Sequence, residues 1–283
     1  MNAFTLLPRT FSAWNDHDAT TISAALAFYS ILSLAPLIIL AVPFLAIVFG
    51  HSTAREQILA QVQAVMGYEG AEAVRAMLEQ PQKPSSGIVA TIIGIVTLLF
   101  GASGVFIELR SALNTMWDVK PQEGGAIARL VRERLVTFGM VLAVGFLLLV
   151  LLTASAATDA LGKFASGFLP APAILVTIVN RVVSFAGIAI LFGLIFRYVP
   201  ETSVAWKDVW LGAVVTSLLF AAGKFLIGLY LSKAVPGSAY GAAGSLIAVI
   251  LWIYYSSMIF LFGAEFTHQL AAVRGANWQR NKL

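Results

Sequence analysis

The chain has 283 residues, of which 59% are hydrophobic and 11% are charged, and its formal net charge is +4. A soluble domain carries about 25% charged residues, so this composition excludes an ordinary soluble globule, and its apolar content excludes a disordered chain. Because the chain contains no cysteine, disulfide frameworks, thiol catalysis and cysteine-ligated metal sites are excluded as well.

Six apolar stretches are each long enough to cross a bilayer as a helix, which takes about 20 residues. They lack the alternation of polar and apolar residues that a transmembrane β-barrel requires. The sequence therefore predicts an all-α polytopic membrane protein, a single domain over residues 1–283 made of six transmembrane helices with short amphipathic connector helices. The predicted spans are residues 22–49, 88–107, 135–157, 173–196, 209–231 and 243–264.

The basic residues outside the spans predict the orientation, because Lys and Arg collect on cytoplasmic loops. Eleven lie on the side of the two termini: Arg9, Arg110, Lys120, Arg129, Arg132, Arg134, Arg197, Lys207, Arg274, Arg280 and Lys282. Five lie on the other side: Arg55, Arg75, Lys83, Lys163 and Lys233. This excess predicts cytoplasmic termini, a cytoplasmic connector at 108–134 and an outer connector at 50–87.

The first span contains two prolines, Pro36 and Pro43, and follows a polar turn. Each proline removes a backbone donor and crowds the carbonyl group four residues earlier. The two lie seven residues apart and therefore on one helix face, which predicts either a structural kink or a hinge that moves during function. In the turn, Asp16, His17 and Asp18 are metal-ligand types, although a solvated turn explains them better.

Two segments outside the spans are also predicted to be helical. Residues 4–14 are expected to form a short interfacial helix anchored by Trp14. In the outer connector, residues 53–80 carry apolar side chains at helical spacing, interrupted by Gly67 and Gly70. This pattern predicts two short amphipathic helices.

Charged residues mark the cytoplasmic ends of three predicted spans. Glu108 and Arg110 end the second span, Arg197 follows the fourth, and Glu265 follows the sixth. These four residues predict a cytoplasmic charge cluster that acts as an ion-pair latch, although interfacial charges of this kind are common in membrane proteins.

Two cations, Arg181 and Lys224, interrupt the predicted spans themselves. At a rise of about 1.5 Å per residue, both lie roughly 10–12 Å from the outer end of their helix. A charge at the bilayer centre costs about 2.5–3.5 kcal/mol on insertion scales. Either each long side chain snorkels to the outer headgroups, or the two share a polar cavity that binds an anion.

Serine and threonine residues lie on the same helix faces as the two cations. Two tyrosines lie in the last span, where a buried hydroxyl group needs a hydrogen-bond partner. The candidate substrate-binding residues are Arg181, Lys224, Thr177, Ser184, Ser217, Tyr254 and Tyr255. This set predicts an anionic ligand.

Enzyme signatures are absent from the sequence. Lys224 follows Gly223, but position 218 is Leu where a Walker A loop requires Gly. Residues 101–105 fail the G-x-S-x-G nucleophile pattern because the fifth is Val105, and no H-E-x-x-H pair exists. We expect no enzymatic activity, no catalytic residues, no metal, no cofactor and no nucleic-acid partner.

Longer motifs cross several of the predicted spans. The segments read AALAFYSILSLAP at 24–36, GASGVFIELRSALNTMW at 101–117, RYVP at 197–200, GK at 223–224, YGAAGSL at 240–246, WIYYS at 252–256 and FGAEF at 262–266. In these motifs and over nearly its whole length, the chain resembles the YihY/BrkB family of bacterial inner-membrane proteins, formerly labelled ribonuclease BN. The resemblance implies a six-span protein of the inner (plasma) membrane with a periplasmic outer connector, and an association with envelope integrity and with lipid or small-molecule export.

Two functions from different classes are therefore expected. One is an inner-membrane transporter or lipid translocase for an anionic amphiphile or organic anion, without an intrinsic ATPase. The alternative is a non-transporting envelope assembly or integrity factor that docks a partner through the periplasmic segment 53–80. The expected partners are membrane lipids and, for the alternative, an envelope protein; oligomeric state, substrate and coupling ion stay open.

The predicted orientation is tested by reporter fusions in bacterial cells. A green fluorescent protein joined after Leu283 should fluoresce because it folds in the cytoplasm. Alkaline phosphatase inserted at residue 82, in the outer connector, should be active because it needs an oxidising compartment. The reverse pattern would contradict the charge-based orientation.

Overall fold

The structure is a computed structural model that describes residues 6–49, 51–79, 104–119, 172–202, 204–234 and 242–280. Every regular element within these ranges is an α-helix, as the sequence predicts. The helices are α1 (Leu6–Asp16), α2 (Ala19–Phe49), α3 (His51–Glu79), α4 (104–116), α5 (Pro172–Tyr198), α6 (Trp206–Ala234) and α7 (Ala242–Arg280).

The predicted spans coincide with helices wherever the structure describes them. The first lies in α2, the fourth in α5, the fifth in α6 and the sixth in α7, which continues well beyond it. Among the described residues, three helical stretches are long and apolar enough to cross a membrane: Arg181–Tyr198, Trp206–Tyr230 and Leu246–Arg274. The third predicted span and most of the second lie outside the described residues, so the count of six stays a prediction.

A polar turn of His17 and Asp18 separates α1 from α2, and Asp16, which the sequence also predicts in this turn, is the last residue of α1. Asp18 has a positive φ of 50°, a conformation that Asp tolerates better than most residues. Its carbonyl group accepts the first bonds of α2 from the N–H groups of Thr21 and Ile22. Within the described part of the chain, no group of three or more acidic or histidine residues is arranged to hold a metal ion.

The helix α3 is one continuous run that bends back on itself. Ile58 and Leu59 in its first half pack against Val74 and Leu78 in its second half, together with Leu34 of α2. A straight helix would hold Leu59 and Val74 roughly 22 Å apart. The bend falls in the interval that contains Gly67 and Gly70, and glycines are common at sharp bends. The prediction of two short helices interrupted by these glycines is wrong, because one helix continues from His51 to Glu79.

The chain divides into two compact units. The first unit comprises Met1–Arg9, Leu113–Leu218 and Gly263–Leu283. The second unit comprises Thr10–Ala112 and Leu219–Phe262. In the second unit, Gly104 near the end of the second predicted span packs closely on α2, because a Cβ there would lie 3.0 Å from the ring of Tyr29.

In the first unit, α6 and α7 pack through a reciprocal pair of Gly-x-x-x-Thr sequences. A Cβ at Gly212 would lie 1.7 Å from Oγ1 of Thr267, and a Cβ at Gly263 would lie 2.0 Å from Oγ1 of Thr216. Each threonine hydroxyl donates to the carbonyl group of the glycine four residues earlier on its own helix, at 2.7 Å. The two antiparallel helices can therefore approach only because both contact positions lack a side chain.

This packing predicts that Gly212→Ala destabilises the protein. The new methyl group meets the Cβ and both branches of Thr267, whose rotamer is held by its own hydrogen bond, so the helices must separate. Overpacking of this kind costs about 1–3 kcal/mol, more than the roughly 1 kcal/mol gained in helix propensity. Thermal unfolding in detergent, followed by tryptophan fluorescence, measures the change in midpoint.

Gly228→Ala is the matched control for this substitution. It lies on the same helix, and a Cβ there meets nothing within 4 Å. We expect an unchanged or raised midpoint for Gly228→Ala. An equal midpoint for the two variants would contradict the packing role of Gly212.

Candidate functional site

Lys224 lies on an exposed face of α6 in the second unit. Its neighbours Phe225 and Leu226 are exposed as well, at 67% and 57%. One turn further on, the backbone at Gly228 borders open space, since a Cβ there would touch nothing. Lys224 also holds contacts within the chain. The surface around this cation thus combines a positive charge, large apolar side chains and room for another molecule.

The position that precedes Lys224 on α6 is tightly packed against α7. A Cβ at Gly223 would lie 2.3 Å from Cδ1 of Ile259 and 2.9 Å from the ring of Tyr255. Tyr254 and Tyr255 are both half-buried, so Tyr255 packs in the helix contact beside Lys224. Of the two tyrosines that the sequence selects, Tyr255 therefore has a defined packing contact next to the predicted binding cation.

Arg181 lies on an exposed face of α5 in the first unit. Ile178 and Val182 beside it are exposed at 54% and 60%, and Ser184 is exposed on the next turn. Ser217 of α6 is buried, and its hydroxyl donates to the carbonyl group of Ala213 at 2.8 Å. The side chain of Thr177 lies outside the described part of the chain.

The two predicted binding cations belong to different units, Arg181 to the first and Lys224 to the second. A cavity shared by them stays a prediction. The predicted hinge residues Pro36 and Pro43 both lie inside α2, which continues as helix from Ala19 to Phe49. A moving hinge there also stays a prediction.

Of the predicted cytoplasmic charge cluster, Arg197 stabilises the loop after α5. Its guanidinium donates to the carbonyl group of Val204 and lies 5.9 Å from the ring centroid of Trp206. A cation in the last turn of a helix also interacts favourably with the helix dipole. Trp206 stacks in turn on Trp210, with centroids 6.1 Å apart.

Glu265 is fully buried on α7 in the first unit. The side-chain amide of Gln269 donates to its Oε1 at 2.8 Å, and Nδ1 of His268 lies 3.9 Å from the same atom. Glu108 and Arg110, the other two residues of the predicted latch, are half-buried on α4 in the second unit, and Arg110 has contacts of its own. The latch as a unit stays a prediction.

Sequence reasoning missed an ion pair between the start of α6 and the end of α7. Nη1 of Arg274 lies 2.5 Å from Oδ1 of Asp208, and the same nitrogen lies 3.4 Å from the backbone carbonyl oxygen of Lys207. Asp208 is nearly buried, whereas Arg274 is half-exposed. The available signal in the sequence was the acidic residue in the first turn of α6, because the positive end of the helix dipole stabilises a negative charge there.

A second missed contact docks the loop after α5 onto the end of α4. The backbone N–H of Glu201 donates to the side-chain oxygen of Asn114 at 2.9 Å. These residues are 87 positions apart, and no local pattern in the sequence announces such a bond.

Comparison with known proteins gives one family and several relatives. Residues 10–282 match the family described as Virulence factor BrkB. A UPF0761 membrane protein of Ralstonia nicotianae is 28% identical over 92% of this chain and 57% of its own length. A UPF0761 membrane protein of Pseudomonas aeruginosa is 31% identical over 68% of this chain and 45% of its own length.

This chain therefore spans about half the length of these UPF0761 relatives. Another relative is YfkH of Bacillus subtilis, whose name describes it as ribonuclease-like, and it is 24% identical over 92% of both chains. No solved structure matches the chain.

The ion pair predicts that Arg274→Gln destabilises the protein. The substitution leaves a nearly buried carboxylate without its close cation, and a hydrogen bond to a charged group contributes about 1.5–3 kcal/mol. A double-mutant cycle with Asp208→Asn, measured as free energies of unfolding in a denaturing detergent, isolates the interaction.

The matched control is the pair of Glu72 and Arg75 on α3. Both side chains are about half-exposed and the charges are 3.9 Å apart, so we expect a coupling below about 1 kcal/mol. Equal coupling energies for the two pairs would contradict a structural role for Asp208 and Arg274.

Proposed function

The chain belongs to the Virulence factor BrkB family of membrane proteins, and we propose that it is a transporter or lipid translocase for an anionic amphiphile. We further propose that it lies in the bacterial inner membrane with both termini in the cytoplasm. The observation that carries the proposal is the placement of Lys224 and Arg181, each on an exposed apolar face of a helix that is long enough to span the membrane.

The chemistry of these two faces suits an amphiphile better than a small hydrophilic ion. An anionic headgroup pairs with the cation, while an acyl chain packs on the apolar side chains around it, such as Phe225 beside Lys224 or Val182 beside Arg181. The pairing offsets the cost of placing a cation in an apolar segment, about 2.5–3.5 kcal/mol at the bilayer centre.

The open space at Gly228 supports the same interpretation. It lies one turn from Lys224 on the same side of α6, because residues four apart are neighbours on a helix surface. A bound headgroup thus has room beside the ammonium group without displacing other side chains.

The proposal includes no enzymatic activity, and the ribonuclease-like name of YfkH is a statement about that protein alone.

The alternative function, an assembly factor that docks a partner through residues 53–80, is favoured by Tyr68. This aromatic side chain is 66% exposed on α3, and exposed aromatic side chains are common anchors at protein interfaces.

The transport proposal predicts that Lys224→Ala and Arg181→Ala each slow lipid movement. Purified protein is reconstituted into vesicles that contain a fluorescent phosphatidylglycerol, and chemical quenching from outside follows its appearance in the outer leaflet. Loss of one charge-assisted contact, worth about 1.5–3 kcal/mol, corresponds to a reduction of roughly 10-fold or more. A fluorescent phosphatidylcholine should respond much less, because its headgroup carries no net charge.

Lys207→Ala is the matched control, since it removes an exposed lysine from the same helix outside the predicted span. Its rate should equal that of the unchanged protein. Wild-type rates for Lys224→Ala and Arg181→Ala would show that these cations merely snorkel to the headgroups. No lipid movement by the unchanged protein would favour the assembly factor.

A further inference from the structure

An imidazole in the first unit lies between two carboxylates. Nδ1 of His268 on α7 is 3.9 Å from Oε1 of Glu265 and 4.0 Å from Oδ2 of Asp118. These are ion-pair distances that exceed a hydrogen bond. Glu265 belongs to α7, whereas Asp118 lies in the turn after α4, so the imidazole joins two segments that are distant in sequence.

The three side chains differ steeply in exposure. Asp118 is 69% exposed, His268 is 21% exposed and Glu265 is 0% exposed. They therefore form a path from solvent, through a partly buried imidazole, to a buried carboxylate. Imidazole is the side chain that ordinarily changes charge between pH 5 and 8, and chains of carboxylates and histidines carry protons in membrane transporters.

The end of α4 adds two further features that stabilise a positive imidazole. The backbone N–H groups of Asp118 and Val119 bond back to carbonyl groups of the helix, so this helix end and its partial negative charge lie beside His268. The ring of Trp117 lies 5.1 Å from the imidazole between centroids, where a π face attracts a cation.

We propose that His268, Asp118 and Glu265 form a proton-binding site. Uptake of a proton from solution converts the neutral imidazole into an imidazolium, whose Nδ1–H points between the two carboxylates, and release of that proton restores the neutral ring. Among the described residues, the charged groups recorded within 4 Å of the imidazole are those of Asp118 and Glu265.

We further propose that the proton bound at this site is the coupling ion for the transport proposed above. That assignment depends on the proposed transport, because a bound proton drives substrate movement only if movement occurs. Proton binding itself does not depend on it. The two parts are therefore tested separately.

Proton binding is measured on the full-length protein in lipid nanodiscs by tryptophan emission between pH 5 and 8. A charged imidazole against an indole ring quenches its emission, so Trp117 reports on His268. We expect a quenching step on acidification that is lost in both His268→Gln and Trp117→Phe. His17→Gln, in the turn between α1 and α2, is the matched control and should retain the step.

Asp118→Asn tests the carboxylate by removing its charge with little change in side-chain shape. Asp118 is exposed and has a φ of 50°, and Asn accepts this conformation readily. Removal of the negative charge should move the quenching step to lower pH, because the imidazolium loses a neighbouring anion. A step that persists in His268→Gln, or one that stays in place in Asp118→Asn, would overturn the proton site.

Coupling is measured in the lipid-movement assay with an imposed pH gradient across the vesicle membrane. We expect the gradient to change the rate at least several-fold for the unchanged protein, and to have no effect on His268→Gln. A gradient-independent rate in the unchanged protein refutes coupling. If the unchanged protein moves no lipid, the transport function fails, and the fluorescence step alone decides whether the site binds protons.

Discussion

The close approach of α6 and α7 at Gly212 and Gly263 determines where the charged groups of the first unit lie. Two threonines occupy the space that side chains at these glycines would take, so the helices have one register in which they fit. In that register, Asp208 at the start of α6 meets Arg274 near the end of α7. Van der Waals packing thus places an ion pair that neither helix defines alone.

The same stretch of α7 contains the buried carboxylate of Glu265, which lies between Gly263 and Thr267 in sequence. Glu265 is fully buried, so its carboxylate depends on neighbours such as Gln269 for hydrogen bonds. His268 is three residues further along α7, and its imidazole lies beside Asp118 in the turn after α4. The glycine–threonine contact and these polar groups thus share one short stretch of α7, residues 263–269.

The charged residues discussed above lie in two kinds of place, either at the ends of helices or within the apolar stretches of the predicted spans. Those at the helix ends of the first unit have close partners, as Arg197 has the carbonyl group of Val204 and Arg274 has Asp208. Arg181 and Lys224 lie on exposed apolar faces of helices that are long enough to cross a membrane, and Lys224 also holds contacts within the chain. A charge in such a setting is costly, which is why we propose these two positions as the sites for a charged ligand from the lipid phase.

Composition and hydropathy by themselves determined the membrane class, the helical fold class and the helices around the first, fourth, fifth and sixth predicted spans. These features are local, because a long apolar stretch must form a helix to satisfy its backbone groups in lipid. The tertiary structure alone decided the Gly–Thr packing, the pair of Asp208 and Arg274, and the meeting of His268 with Asp118. Each joins residues far apart in the chain, and a distant contact depends on helix register, which hydrophobic periodicity does not encode.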